Sequence, residues 1–245
     1  MEHTKLPLIT WFLAIYLLSQ AKTGLSSLAL KRQLGVSYPT AWLLQQKISR
    51  AMADQDCTHR LGGHVQIDDA YLGGERAGGK SGRGSENKVP MVAAVAVNEA
   101  GRPTYLKLSV LSGFTNIALG KWAKANLLPG TVVCSDGLGC FAAVTAAGCL
   151  HLPTVVGDRK PRELPGFTWV NTVLGNLKTT LAGAYHSLGY RKYADHYLAA
   201  FAYRFNRRFD LRGLVAGRTR DQAAGDEDHD GQEARGTEAV HGLVH

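Results

Sequence analysis

The spacing of hydrophobic residues along the chain changes near residue 64. Before that point, apolar residues recur every three or four positions, which predicts helix over residues 7–50. Gly35 separates a helix that starts near Leu28 from a second helix that begins at Ser37 or Tyr38. Two helices joined by a tight turn are typical of a helix-turn-helix, although a hairpin that only packs on the next domain has the same pattern.

Beyond residue 64 the pattern is that of short strands and turns, followed by alternating helices and strands. Three consecutive strands with polar connections predict an antiparallel meander, and the later alternation predicts a mixed sheet with flanking helices, an α/β fold. We expect strands at 65–72, 89–97, 104–111, 131–135 and 154–156, and helices at 116–128, 138–147, 170–182 and 191–207.

The chain is therefore expected to contain three parts. Residues 1–58 form the helical segment, residues 62–215 the α/β domain, and residues 216–245, rich in Gly, Asp, Glu, Arg and His, a disordered tail. The first apolar run, Leu6 to Leu18, is 13 residues long, whereas a membrane span needs about 20. We expect a buried helix there and no membrane partner.

Charge narrows the range of partners. The formal net charge is +8, but residues 217–245 hold three basic and seven acidic residues, so the remaining 216 residues carry +12. A net charge of +12 on the first 216 residues favours a polyanionic partner such as a nucleic acid. Ribosomal and membrane-surface proteins also have an excess of basic residues. The four cysteines form no C-x-x-C pair and no secretory signal is present, which predicts a reduced, cytoplasmic location.

Two aspartates stand where strands could present them to a site. Two-residue alternation places Asp68 and its neighbour Asp69 on opposite faces of the first strand, so we expect only one of them to face a given site. Asp136 follows the strand at 131–135, and ligands of open α/β sheets bind at the carboxyl ends of strands. An acidic residue there is also a common helix cap, so both interpretations of Asp136 stay open.

A predicted helix carries two further polar candidates. Asn171 and Lys178 are seven positions apart, two helical turns, and therefore share one face. The amide oxygen of Asn171 and the ammonium group of Lys178 therefore lie on the same face of the helix and can reach the same site. A mid-helix asparagine is otherwise a solvated residue or a cap, so this pair alone does not define a site.

A glycine-rich loop with three cations follows the first predicted strand. Residues 74–81 match the P-loop string G-x-x-x-x-G-K-[ST], and the loop contains Arg76, Lys80 and Arg83. A working P-loop opens a helix, whereas the next run here is typical of a strand, which argues against nucleotide binding. We interpret the loop as a flexible, phosphate-contacting connection, with a plain hairpin loop as the alternative.

These motifs together resemble DDE-type insertion-sequence transposases of the ISXO-two-like group. Val65 to Gly74 resembles the group's V-x-V/I-D-E/D-x-Y-x-G-G phrase around its first aspartate, and residues 135–137 resemble its S/T-D-G phrase. Asn171, with Lys178 seven residues later, matches the third position, which is Glu in some members and Asn in others. The resemblance covers about residues 4–215, with further likeness at 183–186 and 197–208.

The resemblance implies an RNase H-like fold and metal-dependent phosphodiester chemistry on DNA. Asp68 and Asp136 would bind one Mg²⁺ (or Mn²⁺) ion, and Asp68 with Asn171 a second, because hard divalent ions prefer carboxylate and amide oxygens. Lys178 would lie near the scissile or an adjacent phosphate. Water would first free a 3′-hydroxyl at the element end, and that hydroxyl would then attack target DNA.

The partners implied by the resemblance are the terminal inverted repeats of the element and the target DNA. A homodimer on DNA is expected because two element ends must be held together. The glycine-rich loop supplies the predicted phosphate contacts Arg76, Lys80 and Arg83. The second helix of the helix-turn-helix is predicted to enter the major groove with Thr40, Gln45, Gln46 and Lys47.

Two departures from the family pattern bear on activity. Members usually carry a zinc ribbon ahead of the helical segment, and this chain begins too late to contain one; the tail after about Val215 also differs. A truncated copy is therefore expected, and two alternatives to an active transposase follow. One is a noncatalytic DNA-binding remnant, which would lack divalent-metal binding, and the other is a cellular RNase H-like nuclease, which would cut without joining ends.

Overall fold

The chain was analysed as a computed structural model that describes residues 4–73, 88–154, 164–184 and 190–209. Three helices come first: α1 (Leu8–Gln20), α2 (Ser27–Leu34) and α3 (Tyr38–Asp56). The turn between α2 and α3 has the predicted form. Gly35 ends α2 with a φ of 66°, and Ser37 caps α3 by accepting the backbone N–H of Thr40 at 3.3 Å.

A five-stranded mixed sheet follows the helices. Its strands are β1 (His64–Leu72), β2 (Val89–Val97), β3 (Pro103–Val110), β4 (Val132–Ser135) and β5 (Leu150–Pro153), in the order β3-β2-β1-β4-β5. The first three strands form the predicted antiparallel meander, whereas β4 pairs in parallel with β1 and β5. Parallel neighbours need crossover connections, which α4 (Asn116–Asn126) and a 3-10 helix (Gly139–Ala147) supply.

Helices cover both faces of the sheet. On one face, α5 (Thr168–Ala184) and α6 (Tyr190–Asn206) bury a core that includes Met91 and Val95 of β2. On the other face, α4 and the 3-10 helix pack over a core that includes Ile67 of β1. Strand alternation decides which core each side chain joins. This arrangement confirms the predicted RNase H-like fold class, a mixed sheet flanked by helices and preceded by a helical segment.

A third core joins the helical segment to the sheet domain. Trp11 of α1 and Leu44 and Ile48 of α3 pack against Ala200 and Tyr203 of α6. One side of α3 therefore lies along α6, as the hairpin interpretation predicted. Its opposite side remains exposed to solvent.

Two predicted elements differ in detail from the structure. The fifth strand spans Leu150–Pro153 and ends before Thr154, the first residue of the strand predicted at 154–156; residues 155–156 lie outside the described residues. Leu150 and Leu152 are exposed on this edge strand, which removes the alternation that marks a half-buried strand. The helix predicted at 138–147 spans Gly139–Ala147 and is of the 3-10 type.

The first helix is not buried as predicted. Trp11, Ala14 and Leu18 of α1 are buried, but the other side of the helix exposes several large apolar side chains. Both sides of the helix are apolar in sequence, so the amphipathic pattern that would distinguish them is missing. Among the described residues, no helix is both long and apolar enough to span a membrane.

Candidate active site

The junction between β1 and β4 leaves an open backbone edge inside the sheet. Strand β4 pairs with β1 only from His64 to Gln66 and ends at Ser135. Strand β1 continues to Leu72, so its later residues lack a β4 neighbour on that side. Because β1 and β4 run parallel, Asp136 follows the carboxyl end of β4 beside this open edge.

Three carboxylates meet at the open edge. One oxygen from each of Asp68, Asp69 and Asp136 lies within 4.8 Å of the other two, and all three residues are partly buried. The expectation that Asp68 and Asp69 cannot face the same site was therefore wrong. Alternation holds firmly where a strand is paired on both sides, whereas an unpaired edge leaves space for both side chains to turn toward Asp136.

Burial and the neighbouring charges both shift the pKa of Asp68. Burial raises the pKa of its carboxyl group from 3.8 to about 6, against the opposing hydrogen bond that the Asp69 backbone N–H donates to Asp68 Oδ1 at 2.9 Å. The charges of Asp69 and Asp136 raise this pKa further, and the charge of Lys178 lowers it. The raised pKa therefore reflects burial first and the charges of the two neighbouring carboxylates second.

Short-range contacts hold Asp136 at the end of β4. Its Oδ1 accepts the backbone N–H of Leu138 at 3.0 Å, a local turn contact. Asp136 does not cap the 3-10 helix that follows, because the N-cap of that helix is Leu138 and no side chain caps it. The buried Ser135 hydroxyl donates to the Asp136 carbonyl at 2.9 Å and lies 2.7 Å from Nε2 of His151 on β5. The turn contact uses one carboxylate oxygen of Asp136, so the second oxygen can still bind a ligand.

Gln66 fixes the start of α5 relative to the carboxylates. The buried Gln66 Oε1 accepts the backbone N–H groups of Trp169 at 2.9 Å and Val170 at 3.2 Å, both in the first turn of α5. A side chain of the strand thus caps the helix from across the fold. Sequence reasoning missed this role because caps are normally sought beside the helix in the chain.

Helix α5 runs alongside β1 in the same direction. Its first turn lies beside Gln66, and further on Lys178 lines a small cavity with Tyr71. Asp68 is two residues beyond Gln66, roughly 6.6 Å along the strand, which a helix covers in about four residues. Asp68 therefore lies at a level between Asn171 and Lys178. Both of these side chains are exposed, and within the described residues Asn171 has no hydrogen-bond partner.

The chemistry of the donors fits a hard divalent cation. Carboxylate and amide oxygens are the ligands that Mg²⁺ and Mn²⁺ prefer. Two oxygens on one Mg²⁺ ion are at most about 4.2 Å apart, so small side-chain rotations would suffice to bring together oxygens now within 4.8 Å. The described cluster contains neither His nor Cys, the side chains typical of zinc sites.

Comparison with known proteins identifies a family. The ISXO2-like transposase domain family matches residues 60–206, more than half of the chain. The chain belongs to this family. Curated proteins gave no match. Among solved structures, the chain is similar to a chain of the simian T-cell lymphotropic virus intasome in complex with PP2A regulatory subunit B56 gamma, at 9% identity and a TM-score of 0.38, over 82% of this chain and 74% of that chain.

The matched range of the transposase domain contains all four predicted catalytic residues. It begins just before β1 and ends at Asn206, the last residue of α6. Helices α1, α2 and α3 precede it. The match confirms the resemblance, whereas the role of each side chain stays a prediction; the residues concerned are Asp68, Asp136, Asn171 and Lys178.

The helices ahead of the transposase domain offer fewer DNA-facing groups than predicted. Gln45 is buried, with its Nε2 donating to the Leu25 carbonyl at 2.7 Å and its Oε1 accepting from the Ser27 hydroxyl. Gln46 is also buried, and its amide bonds to two side chains of α6. The predictions that Gln45 and Gln46 contact DNA were wrong, because their side of α3 packs on α2 and α6.

Other predicted DNA contacts remain predictions. Lys47 is exposed on the outer side of α3, and Thr40 is half-buried in its first turn, where its hydroxyl pairs with Ser37 Oγ at 2.8 Å. Arg50, which sequence reasoning did not select, is exposed on the same side as Lys47. The loop residues Arg76, Lys80 and Arg83, together with the P-loop string and the tail at 216–245, lie outside the described residues.

Proposed function

We propose that this transposase domain catalyses metal-dependent cleavage of DNA and transfer of the freed 3′ end during transposition of an insertion sequence. The observation that carries the proposal is the meeting of Asp68, Asp69 and Asp136 at the open β1–β4 edge of a transposase-family chain. Partly buried carboxylates so close together repel one another unless a cation lies between them. The cluster is therefore better suited to binding divalent ions than to stabilising the fold.

The proposed ligands come from β1, from the end of β4 and from α5. Asp68 and Asp136 would hold one Mg²⁺ or Mn²⁺ ion, and Asp68 with Asn171 a second. An amide carries no charge, so Asn171 lowers the negative charge of the site by one relative to a glutamate. Asp69, which shares the cluster with Asp68 and Asp136, supplies a third carboxylate and offsets this loss.

Divalent ions held there would stabilise the charge that develops on the phosphate and make the attacking hydroxyl more acidic. In cleavage, water adds to phosphorus and the bond to the 3′ oxygen breaks, which frees the 3′-hydroxyl of the element. In strand transfer, that hydroxyl forms a new bond to a target phosphorus while the target's own 3′ oxygen leaves. Lys178, whose charge already acts on Asp68, would place an ammonium group near the reacting phosphate.

The proposed partners are element ends and target DNA, bound by a homodimer. The net charge of +8 favours a polyanion. Lys47 and Arg50 lie together on the exposed side of α3, which is available for phosphate contacts. Because α3 also packs on α6, DNA bound there would be held at a fixed position relative to the sheet.

The test is a nicking and joining assay on the purified chain. A labelled duplex is incubated with Mg²⁺ or Mn²⁺, and a labelled oligonucleotide with a free 3′-hydroxyl is offered a plasmid target. We expect Asp68→Asn and Asp136→Asn each to reduce metal-dependent nicking by at least about 100-fold, since even outer-shell partners of metal ligands contribute about 10- to 100-fold. Asp195→Asn, the same change at an exposed position on α6, is the matched control and should retain wild-type nicking.

Each outcome separates one function from the others. Nicking and joining that both depend on Asp68 and Asp136 support the transposase. Nicking without joining indicates a nuclease. DNA binding without nicking in either metal indicates a noncatalytic remnant. Nicking that persists in both variants would show that these carboxylates do not form the site.

A further inference from the structure

One side of α1 is a continuous apolar surface in contact with solvent. The exposed fractions of its large side chains are 58% for Leu8, 76% for Ile9, 58% for Phe12, 43% for Leu13 and 53% for Tyr16. At about 100° per residue, these positions cover an arc of about 140° on one side of the helix. Single exposed apolar residues are ordinary, but a contiguous group of five indicates an interaction surface.

We infer that this surface, the α1 face, binds the α1 face of a second copy and forms a dimer of the chain. The helix Leu8–Gln20 contains no charged residue, so it lacks the cations with which a protein binds DNA phosphates. Two copies that each carry +8 repel one another wherever their basic surfaces meet. An uncharged apolar face is where the copies can approach without that repulsion.

The shape of the α1 face is self-complementary. Leu8, Phe12 and Tyr16 form one ridge along the i, i+4 direction, and Ile9 and Leu13 form a second ridge beside it. The groove between the two ridges can accept a ridge of an identical helix, with the axes crossing at about −50°. A two-fold axis through this crossing makes both contacts the same, which closes the assembly at two copies.

The area of the face is sufficient for a weak dimer. Its five side chains expose on the order of 500 Å² in all, taking roughly 150–250 Å² for a fully exposed large side chain. Two such faces bury about 1,000 Å² when fully covered, the lower bound of a specific interface and a size typical of weak, transient association. The face is also preformed, because Trp11, Ala14 and Leu18 anchor α1 in the core with α3 and α6.

The inference rests on the homodimer of the proposed function and assigns it a surface, the α1 face, that takes no part in the proposed chemistry. Helix α1 lies outside the matched range 60–206 and on a different part of the chain from the carboxylates. Association through the α1 face can be measured without DNA and without metal. Failure of this dimer and failure of the nicking assay are therefore distinguishable.

Sedimentation velocity across the micromolar range tests the inference on the full chain. We expect a concentration-dependent dimer, and a rise in its dissociation constant of at least about 30-fold in Phe12→Glu, as for loss of a central aromatic contact. The matched control is Ile117→Glu, the same kind of change at an 86% exposed residue of α4. It should dimerise as the wild type does, and circular dichroism should show both variants folded.

Disulfide cross-linking tests the same contact without adding a charge. Phe12→Cys and Ile117→Cys are compared in a Cys57→Ser background, because Cys57 is the exposed native cysteine among the described residues. Mild oxidation should link two chains through position 12 and not through position 117. A monomeric wild type, or a dimer that Phe12→Glu leaves intact, would overturn the inference. So would a monomer that binds uncharged phosphatidylcholine vesicles through α1, which would make lipid the occupant.

Discussion

Two clusters of charged side chains in this chain use similar groups in different ways. The first, which we call the junction cluster, lies where α3, β3 and α6 meet and consists of Asp56, Lys107, Asn206 and Arg207. Arg207 Nη2 lies 2.9 Å from Asp56 Oδ1, with side chains only 1% and 13% exposed. Asn206 Nδ2 donates to Asp56 Oδ2 at 3.0 Å, and Lys107 Nζ donates to the Asp56 carbonyl at 2.7 Å.

The second cluster is the group of carboxylates Asp68, Asp69 and Asp136. Here three acidic groups face one another, and Lys178 is the one cation among the influences that shift Asp68. In the junction cluster the protein supplies its own counter-charge, whereas at the open edge the counter-charge is incomplete. The difference teaches that a buried charge marks a ligand site when the fold leaves it unmatched, and a structural contact when the fold pairs it.

The surroundings of the junction cluster confirm that it is poorly solvated. Burial, followed by the charge of Asp56, raises the pKa of the Tyr105 phenol. Burial also lowers the pKa of Lys107. In such surroundings an unpaired charge is costly, so removing one partner of an ion pair should matter more than the pair itself contributes.

The largest expected effect comes from breaking the pairing in the junction cluster. Arg207→Met removes the guanidinium and leaves the Asp56 carboxylate without its closest cation. We expect the free energy of unfolding to fall by about 3–5 kcal/mol, measured by urea denaturation. Helix α3 would lose its ion pair with the residue that follows α6 and keep its hydrogen bonds to Asn206, Tyr197 and His196.

A surface ion pair provides the control for Arg207. Arg50 and Asp54 lie 3.3 Å apart on α3, with side chains 69% and 66% exposed. Arg50→Met should change stability by less than about 1 kcal/mol, because water screens such pairs. Equal losses from Arg207→Met and Arg50→Met would contradict the distinction between buried and exposed pairing.

The sequence predicted the residues of the second cluster better than it predicted their geometry. Asp68 and Asp136 could be selected because each lies on or just after a strand and matches a family phrase. Asp69 could not, since its rotation toward the site depends on β4 ending at Ser135 and leaving β1 unpaired. Pairing of strands distant in sequence is not encoded in local alternation.

The errors in the helical segment have the same origin. Gln45 is polar and lies in the second helix of a helix-turn-helix, so sequence suggested a DNA contact. Its two amide hydrogen bonds to Leu25 and Ser27 form only when α2 folds against α3. Likewise, the exposure of Phe12 depends on which side of an all-apolar helix meets α3 and α6. Periodicity identifies elements, but tertiary contacts decide the partner of each side chain.

The affinity of the carboxylate cluster for Mn²⁺ should depend on pH. Metal ions bind the deprotonated carboxylate, and the pKa of Asp68 is raised to about 6. Protons should therefore lower Mn²⁺ affinity by about tenfold between about pH 7 and about pH 5. Isothermal titration calorimetry measures this directly. An affinity that is constant over this range would contradict the assignment of Asp68 as a ligand.

The contribution of Asp68 to the stability of the metal-free chain should increase as pH falls, whereas the Mn²⁺ affinity decreases. Because the folded pKa of Asp68 lies above 3.8, proton binding favours the folded state. This contribution is complete below about pH 4 and is lost as pH rises through about 6; Asp68→Asn should remove it. Burial lowers the pKa of His151, so the contribution of this residue to stability is lost as pH falls. Comparison with His151→Gln therefore separates the titration of His151 from that of Asp68.

The smallest expected effect tests whether Asp69 compensates for the neutral Asn171. Asp69→Asn removes one negative charge from the site, and Asn171→Asp adds one from α5. We expect the first to weaken Mn²⁺ binding about fivefold, or ~1 kcal/mol, and the second to strengthen it by a similar factor, because solvent screens these partly exposed groups. The double variant should bind as the wild type does. Glu99→Gln, an equal charge change at an exposed turn, should have no effect. Unchanged binding in Asp69→Asn would show that Asp69 only lies beside the site, and the comparison would then rest on two carboxylates instead of three.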